Sequence, residues 1–179
     1  MSGHPLVRPL GADEARARIG ELVRVLAECV DAGASVSFML PLARATADAF
    51  WSKVADGVAR GERTLIVAED GDGIAGTVQL VTDLPENQPH RAEIAKLLVR
   101  PGARCAGLGE RLMRAAEDAA RAQGKTVLVL DTASATAERL YARLGWQRVG
   151  VVPDYALLPD GRPCATTFFY KRVEPAESA

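Results

Sequence analysis

The sequence predicts one α/β domain organised around a mixed sheet, and three observations carry that reading. Apolar residues recur at helical spacing through the first third of the chain. Short apolar runs separated by turn residues follow, beginning with a hairpin. The remainder then alternates strand, helix, strand, helix, strand, strand.

Taken in order, Ile19, Leu22, Val23, Leu26 and Val30 mark a helix over Asp13–Val30, closed by Gly33. Ala47, Phe50, Trp51, Val54 and Val58 mark a second helix after Pro41, stopped by Gly61. The segment Ala34–Leu40 between them reads as a loop with apolar side chains free to line a site. Thr64–Ala68 and Ile74–Val81 flank the turn Asp70–Gly73, a hairpin signal. A polar loop with Pro85 and Pro89 leads to a third strand, Arg91–Val99, ended by Pro101 and Gly102. Leu108, Leu112, Met113, Ala116 and Ala120 define the next helix, and the apolar run Thr126–Leu130 a buried strand. Ala133–Leu144 is helical, and Trp146–Val152 and Thr166–Lys171 close the sheet around the turn Pro159–Gly161.

A chain of 179 residues supports one buried core, expected over residues 1–172 with a frayed tail at 173–179. There are 22 Lys and Arg against 23 Asp and Glu, a net charge of −1, so a dedicated nucleic-acid binder is not expected. Met1–Gly11 carries no apolar core of signal-peptide length, and no run approaches the ~18 apolar residues of a membrane helix. Cys29, Cys105 and Cys164 are too few and too scattered for a disulfide framework or a zinc site. Reduced thiols, a cytoplasmic location and no metal are the expectations.

The most informative segment runs Val99-Arg-Pro-Gly-Ala-Arg104-Cys-Ala-Gly107-Leu-Gly109, between a strand and an amphipathic helix. A helix N-terminus leaves backbone N–H groups unpaired and favours anions. Gly107 and Gly109 remove Cβ atoms that would hold a pyrophosphate away, and Arg104 adds a donor suited to phosphate. A plain glycine-bearing helix start is the simpler alternative. The pattern GxxxxGK[ST] and the full G-x-G-x-x-G are both absent.

In this context the segment resembles motif A of the GNAT (Gcn5-related N-acetyltransferase) superfamily. Ala137-Glu-Arg-Leu-Tyr141-Ala-Arg-Leu-Gly145-Trp146 is similar to that superfamily's later helix and the strand start after it. Cys105 and Ala106 depart from the pattern, where glycine and a basic residue are common. The resemblance implies a largely antiparallel sheet, acetyl-coenzyme A as cosubstrate and acetyl transfer to an amine. It also implies coenzyme contacts from Leu97, Leu98, Val99, Arg104, Cys105, Ala106, Gly107, Leu108, Gly109, Glu110, Ser134 and Ala137. Leu97–Val99 would contribute backbone groups, on a strand that splays from Thr126–Asp131, while their side chains belong to the core. Over Glu28–Lys171 the chain further resembles the tabtoxin-resistance acetyltransferases, which inactivate a dipeptide-derived β-lactam toxin. Gly33–Met39, Arg91–Leu97, Leu130–Thr132 and Pro159–Gly161 carry that likeness, whereas Leu84–Pro89 and Ala156–Leu158 do not match.

Amine attack on a thioester needs a base for the ammonium and an acid for the departing thiolate. Tyr141 matches the position the superfamily gives to a tyrosine near the coenzyme sulfur, so it is the expected acid; core packing with Leu140 and Leu144 is the alternative. Glu93 is the expected base, on a strand resembling the base-bearing strand of Gcn5-type enzymes. Partial burial would suit it to that role, and a surface carboxylate paired with Arg91 or Lys96 is the alternative. Asp131 either binds the substrate ammonium, relays a proton or caps a helix. Ser134 contacts the coenzyme or caps. Cys105 lies in the phosphate turn, away from any thioester, which argues for direct attack in a ternary complex. His90 reads as a surface loop residue. The acceptor is expected to be a small amino-acid-like, toxin or antibiotic amine over which Ala34–Leu40 and Ala156–Pro163 close. A peptide or protein N-acetyltransferase and a non-catalytic acyl-coenzyme A-binding module are the rival functions, and the chain is expected to act as a monomer or homodimer.

Overall fold

The computed structural model describes residues 5–104 and 107–174. Seven strands form one sheet in the order β1-β2-β3-β4-β5-β7-β6. They are β1 (Leu6–Leu10), β2 (Arg63–Asp70), β3 (Gly73–Val81), β4 (Arg91–Val99), β5 (Val127–Thr132), β6 (Gln147–Leu157) and β7 (Pro163–Arg172). Every neighbouring pair is antiparallel except β4 and β5, which run parallel and are joined by a crossover helix. The mixed, largely antiparallel sheet flanked by helices is as expected.

The helices are α1 (Ala12–Ala17), α2 (Ile19–Asp31), α3 (Arg44–Ala59), α4 (Leu108–Ala122) and α5 (Ala135–Arg143). They cover both faces. On one, α1–α3 bury Leu22, Leu26, Val30, Trp51 and Val54 against Leu65, Val67 and Ile74. On the other, α4 and α5 bury Leu112, Met113, Ala116 and Tyr141 against Val78, Leu80, Ile94, Leu128 and Phe169. Gly76 lets β3 and β4 approach: a Cβ there would stand 2.7 Å from the Leu98 carbonyl oxygen.

Several boundaries differ from the sequence reading. The helix over Asp13–Val30 is two helices, broken at Arg18, whose φ of −112° and ψ of 19° are not helical. Arg18 there bridges Glu14, Glu21 and Glu69, and Arg8 of β1 joins the same group. That cluster fastens β1, an edge strand the sequence reading did not identify; five residues with little alternation gave no period to read. Helix α5 starts at Ala135, not Ala133, because Ser134 Oγ accepts from the Ala137 N–H at 3.2 Å and sets the N-cap. Strand β6 extends to Leu157. Val173 is buried and its N–H donates to the Thr126 carbonyl at 3.0 Å, so packing continues one residue past the expected boundary at 172. Among the described residues no helix is long and apolar enough to cross a membrane.

Candidate functional site

Strands β4 and β5 pair through only three residue pairs, Arg91↔Val127, Ala92↔Leu128 and Glu93↔Val129. Beyond Glu93 they part, and among the described residues no strand lies beside the β4 edge there. A bulge accompanies the parting. Thr77 and Gln79 of β3 register with Leu98 and Ala95, so three steps along β4 oppose two along β3. The extra residue is absorbed at Lys96, whose φ is 52°, with its carbonyl held by the Thr77 hydroxyl at 3.1 Å. The bulge reverses the strand's parity. Ala92 and Ile94 face α4, as do Leu97 and Val99, while Leu98 turns to the opposite core. Leu97–Val99 thus sit with apolar side chains in or against the core and their backbone along the cleft.

At the mouth of the cleft stands the start of α4. Gly107 is its N-cap, with φ 72° and ψ 9°, no side-chain cap, and nothing within 4 Å of where a Cβ would lie. The Arg111 N–H makes the bond to the Gly107 carbonyl, at 3.1 Å. The amides of Leu108, Gly109 and Glu110 therefore have no intrahelical acceptor, the property that suits a helix start to phosphate. Gly109 has a further neighbour. A Cβ there would meet Leu140 Cδ2 at 3.2 Å, so this glycine makes room for α5. Glu110 is paired with Arg114 at 2.8 Å. Arg104 folds back, its Nε donating to the Val99 carbonyl at 3.2 Å. Cys105 and Ala106 lie outside the described residues.

Tyr141 is buried on α5, its ring packed tilted on Trp146 and edge-on to Phe169, with centroids 6.1 and 5.7 Å away. Its hydroxyl makes no hydrogen bond among the described residues. Burial pushes its pKa above the ordinary tyrosine value, and the negative charge of Asp131 pushes the same way. Core packing and a poised hydroxyl coexist in this residue. The wall behind it is fixed by Glu117, a buried carboxylate accepting from Trp146 Nε1 at 2.9 Å and Lys171 Nζ at 2.7 Å. Sequence reasoning did not single out that network, which joins residues far apart in the chain.

On the other face of the sheet, strand alternation aligns Glu93, Val129 and Asp131. The expected burial of Glu93 is not found: its side chain is 46% exposed and pairs with Arg91 at 3.0 Å. Asp131 is not a helix cap. It is exposed, and the buried Thr166 hydroxyl donates to its Oδ2 at 2.7 Å. Ser134 is the cap, which is the simpler of its two readings, and Ala137 supplies the capped amide while packing against the core. His90 is an exposed loop residue whose carbonyl accepts from Thr126 at 2.8 Å and Val127 at 3.2 Å, fixing the start of β5.

The two segments expected to close over an acceptor meet. The Leu40 N–H donates to the Pro159 carbonyl at 2.9 Å, and the Ser35 hydroxyl to the Leu157 carbonyl at 3.1 Å. Below this bridge Phe38 packs edge-on against Phe50 at 5.2 Å. Lys96 Nζ lies 6.0 Å from the Phe50 ring centroid and donates to Ser37 Oγ at 3.0 Å. Lys96 was not singled out from the sequence as a candidate; the change of apolar parity across Ala92-Glu-Ile-Ala-Lys-Leu-Leu-Val99 was the available signal of its bulge.

The model of the acetyltransferase (GNAT) family matches residues 36–146, the stretch that holds the cleft, the α4 start and Tyr141. The chain belongs to the GNAT acetyltransferase family. An uncharacterised N-acetyltransferase from the hisH–hisA intergenic region of Azospirillum brasilense is 39% identical over 106 residues, 58% of this chain and 61% of that protein. The chain thus spans about three fifths of that relative's length. Among solved structures, yncA of Salmonella typhimurium with its cofactor acetyl-CoA has a TM-score of 0.78 at 17% identity, covering 99% of this chain and 98% of that one. A phosphinothricin acetyltransferase of Sinorhizobium meliloti in complex with AcCoA has a TM-score of 0.80 at 18% identity, covering 99% and 96%. A ribosomal-protein-alanine N-acetyltransferase of Brucella melitensis has 0.77 at 19%, covering 94% and 99%. At these identities the likeness is one of fold, and the names span small and protein acceptors.

Proposed function

We propose that this chain is an acetyl-CoA-dependent N-acetyltransferase acting by direct attack in a ternary complex on the primary amine of a small, amino-acid-like acceptor, a toxin or antibiotic among the candidates. One observation carries the reading: the parted strands open between a buried tyrosine hydroxyl on one side and two carboxylates on the other. The residues present fit the cosubstrate, because the α4 start offers free amides with no Cβ at Gly107 and β4 offers unpaired backbone past its bulge. Leu108–Glu110 and Arg104 would hold its phosphates, and Leu97–Val99 its pantetheine arm; bound, acetyl-CoA supplies an acyl thioester. Asp131 lies on the face from which an amine would enter and takes up its ammonium, with Thr166 fixing one carboxylate oxygen. Glu93 accepts the amine proton, directly or through one water. The β4 amides past the bulge orient and polarise the carbonyl to be attacked. Tyr141, kept protonated by burial, donates its proton to the departing sulfur.

The joined segments Ala34–Leu40 and Ala156–Pro163 favour a small acceptor over a peptide groove, and the presence of acid and base candidates disfavours a non-catalytic binding module. A cytoplasmic monomer or homodimer suits this role. The test is thiol release from acetyl-CoA against a panel of free amines and lysine peptides across pH, in wild type and Glu93→Gln. Small amines should be the better acceptors, and the variant's loss in kcat/KM should shrink as pH rises and more amine is already neutral. Superimposable profiles would remove Glu93 from the mechanism, and a preference for peptides would overturn the acceptor class.

A further inference from the structure

The reaction described above gives Lys96 no task, yet its placement is costly on two counts. A non-glycine residue in the left-handed region is disfavoured, and such outliers persist where the surrounding structure holds them. Its ammonium lies over the Phe50 ring, 6.0 Å from the centroid, and burial pulls its pKa below the ordinary lysine value. A cation in this setting wants an anion. Among the described residues none lies within 4.0 Å of it; the near partner is the neutral Ser37 hydroxyl, and the charge it senses at longer range is Asp131.

The geometry also separates signs. Asp131 on β5 gives that strand an acidic side to the cleft, while Glu93, on β4, is already paired with Arg91. Lys96 opposes it from the bulge, under the loop that carries Ser37. An acceptor bearing only an amine would satisfy the acidic side and leave the lysine unpaired. One bearing a carboxylate near its amine would satisfy both.

We infer that Lys96 is a specificity-determining residue that binds a carboxylate of the acceptor, making α-amino acids and their close relatives the substrate class. This rests on the small-amine reading above. The carboxylate would take the place of Ser37 or share the ammonium with it, forming a charge-assisted hydrogen bond. Ser37 is exposed, with a positive φ of 79°, so its hydroxyl is free to yield to a ligand.

The experiment uses matched acceptors, L-methionine and L-glutamate against their α-carboxamides, with wild type, Lys96→Met and Lys96→Arg. The readout is the ratio of kcat/KM for acid over amide in each enzyme, divided by the wild-type ratio, which cancels the different basicities of the two amines. Lys96→Met should lower that ratio about 10- to 100-fold, the range for losing a charge-assisted hydrogen bond, with the change mainly in KM. Lys96→Arg should recover most of it. If Lys96→Met depresses acid and amide equally, the lysine only props the loop and the inference fails. An unchanged ratio with both substrates active refutes it as well, while leaving the small-amine reading intact. No wild-type turnover of any of the four compounds, alongside turnover of lysine peptides, would overturn the small-amine reading itself and this inference with it.

Discussion

Replacing Tyr141 with Phe separates its two roles, because the ring does the packing and the hydroxyl the chemistry. The ring contacts with Trp146 and Phe169 survive the change. The hydroxyl has no hydrogen-bond partner among the described residues, so no intramolecular bond is lost and stability should change by under about 1 kcal/mol. The cost falls on the reaction. A coenzyme thiol ionises near the ~8.5 of an ordinary thiol, whereas the folded tyrosine lies above its usual 10.0. Proton donation to the free thiolate is therefore uphill by at least ~1.5 pKa units, about 2 kcal/mol. A donor so matched belongs at the lower end of general-acid effects, about 10²-fold, or ~2.7 kcal/mol of barrier. The assay is kcat by thiol release, with Kd for coenzyme A and Tm measured on the same preparation. We expect kcat down about a hundredfold, Kd within about twofold and Tm nearly unmoved. Because the hydroxyl stays protonated well past neutrality, wild-type kcat should also show no alkaline limb from this group below pH ~10. A variant with full kcat would make Tyr141 a core residue only, and a fall in Tm matching the fall in activity would refute the separation of roles.

Two further outcomes follow from the geometry. Gly107→Val puts a β-branched side chain at φ 72°, beside the free amides of α4, and should raise the Kd for coenzyme A at least tenfold by calorimetry. Gly107→Asn, which tolerates that backbone conformation, serves as the folding control, and unchanged affinity in the valine variant would dissolve the cradle. In the cluster that fastens β1, the side-chain bond from Arg18 holds the Glu21 carboxyl down at about 2, against the opposing effect of burial and with help from the Ile74 N–H. Its unfolded value is ~4.3, so the stabilisation is complete above that pH and is lost as pH falls through about 2. Denaturant titrations of wild type and Glu21→Gln between pH 2 and 6 should converge toward the acid end; curves that stay parallel would show that this carboxylate carries no linkage.

What the sequence revealed was periodicity and the chain-local motif. The α4 helix, its glycine-marked start and the hairpin at Asp70–Gly73 are each encoded within a short stretch of chain, so spacing alone exposes them. Glu93 and Asp131 could be placed on their strands, and strand alternation puts Arg91 on the same face as Glu93, so the pair that forms was one of the two readings the spacing allowed; burial of Glu93 was not legible because it depends on what packs over that face. Glu117, Trp146 and Lys171 are joined only when three elements pack. Lys96 entered the sequence reading only as a possible partner of Glu93, because a single inserted residue in β4 reverses which side chains reach the cleft. Gly109 shows the converse. Its motif position suggested room for a pyrophosphate, while the neighbour that occupies the space of its missing Cβ is Leu140.

The brevity of the β4–β5 pairing has a mechanical meaning. Three residue pairs join two half-sheets, β1–β4 and β5–β7, so the least-braced seam of the sheet runs through the candidate site. A ligand seated in that seam acts as the absent rung of the ladder. At about a hundred times its Kd it would add ~2.7 kcal/mol against unfolding, spent where the scaffold is least braced. With a ligand seated there, the walls of the cleft, drawn from both halves, would be held together by more than three rungs.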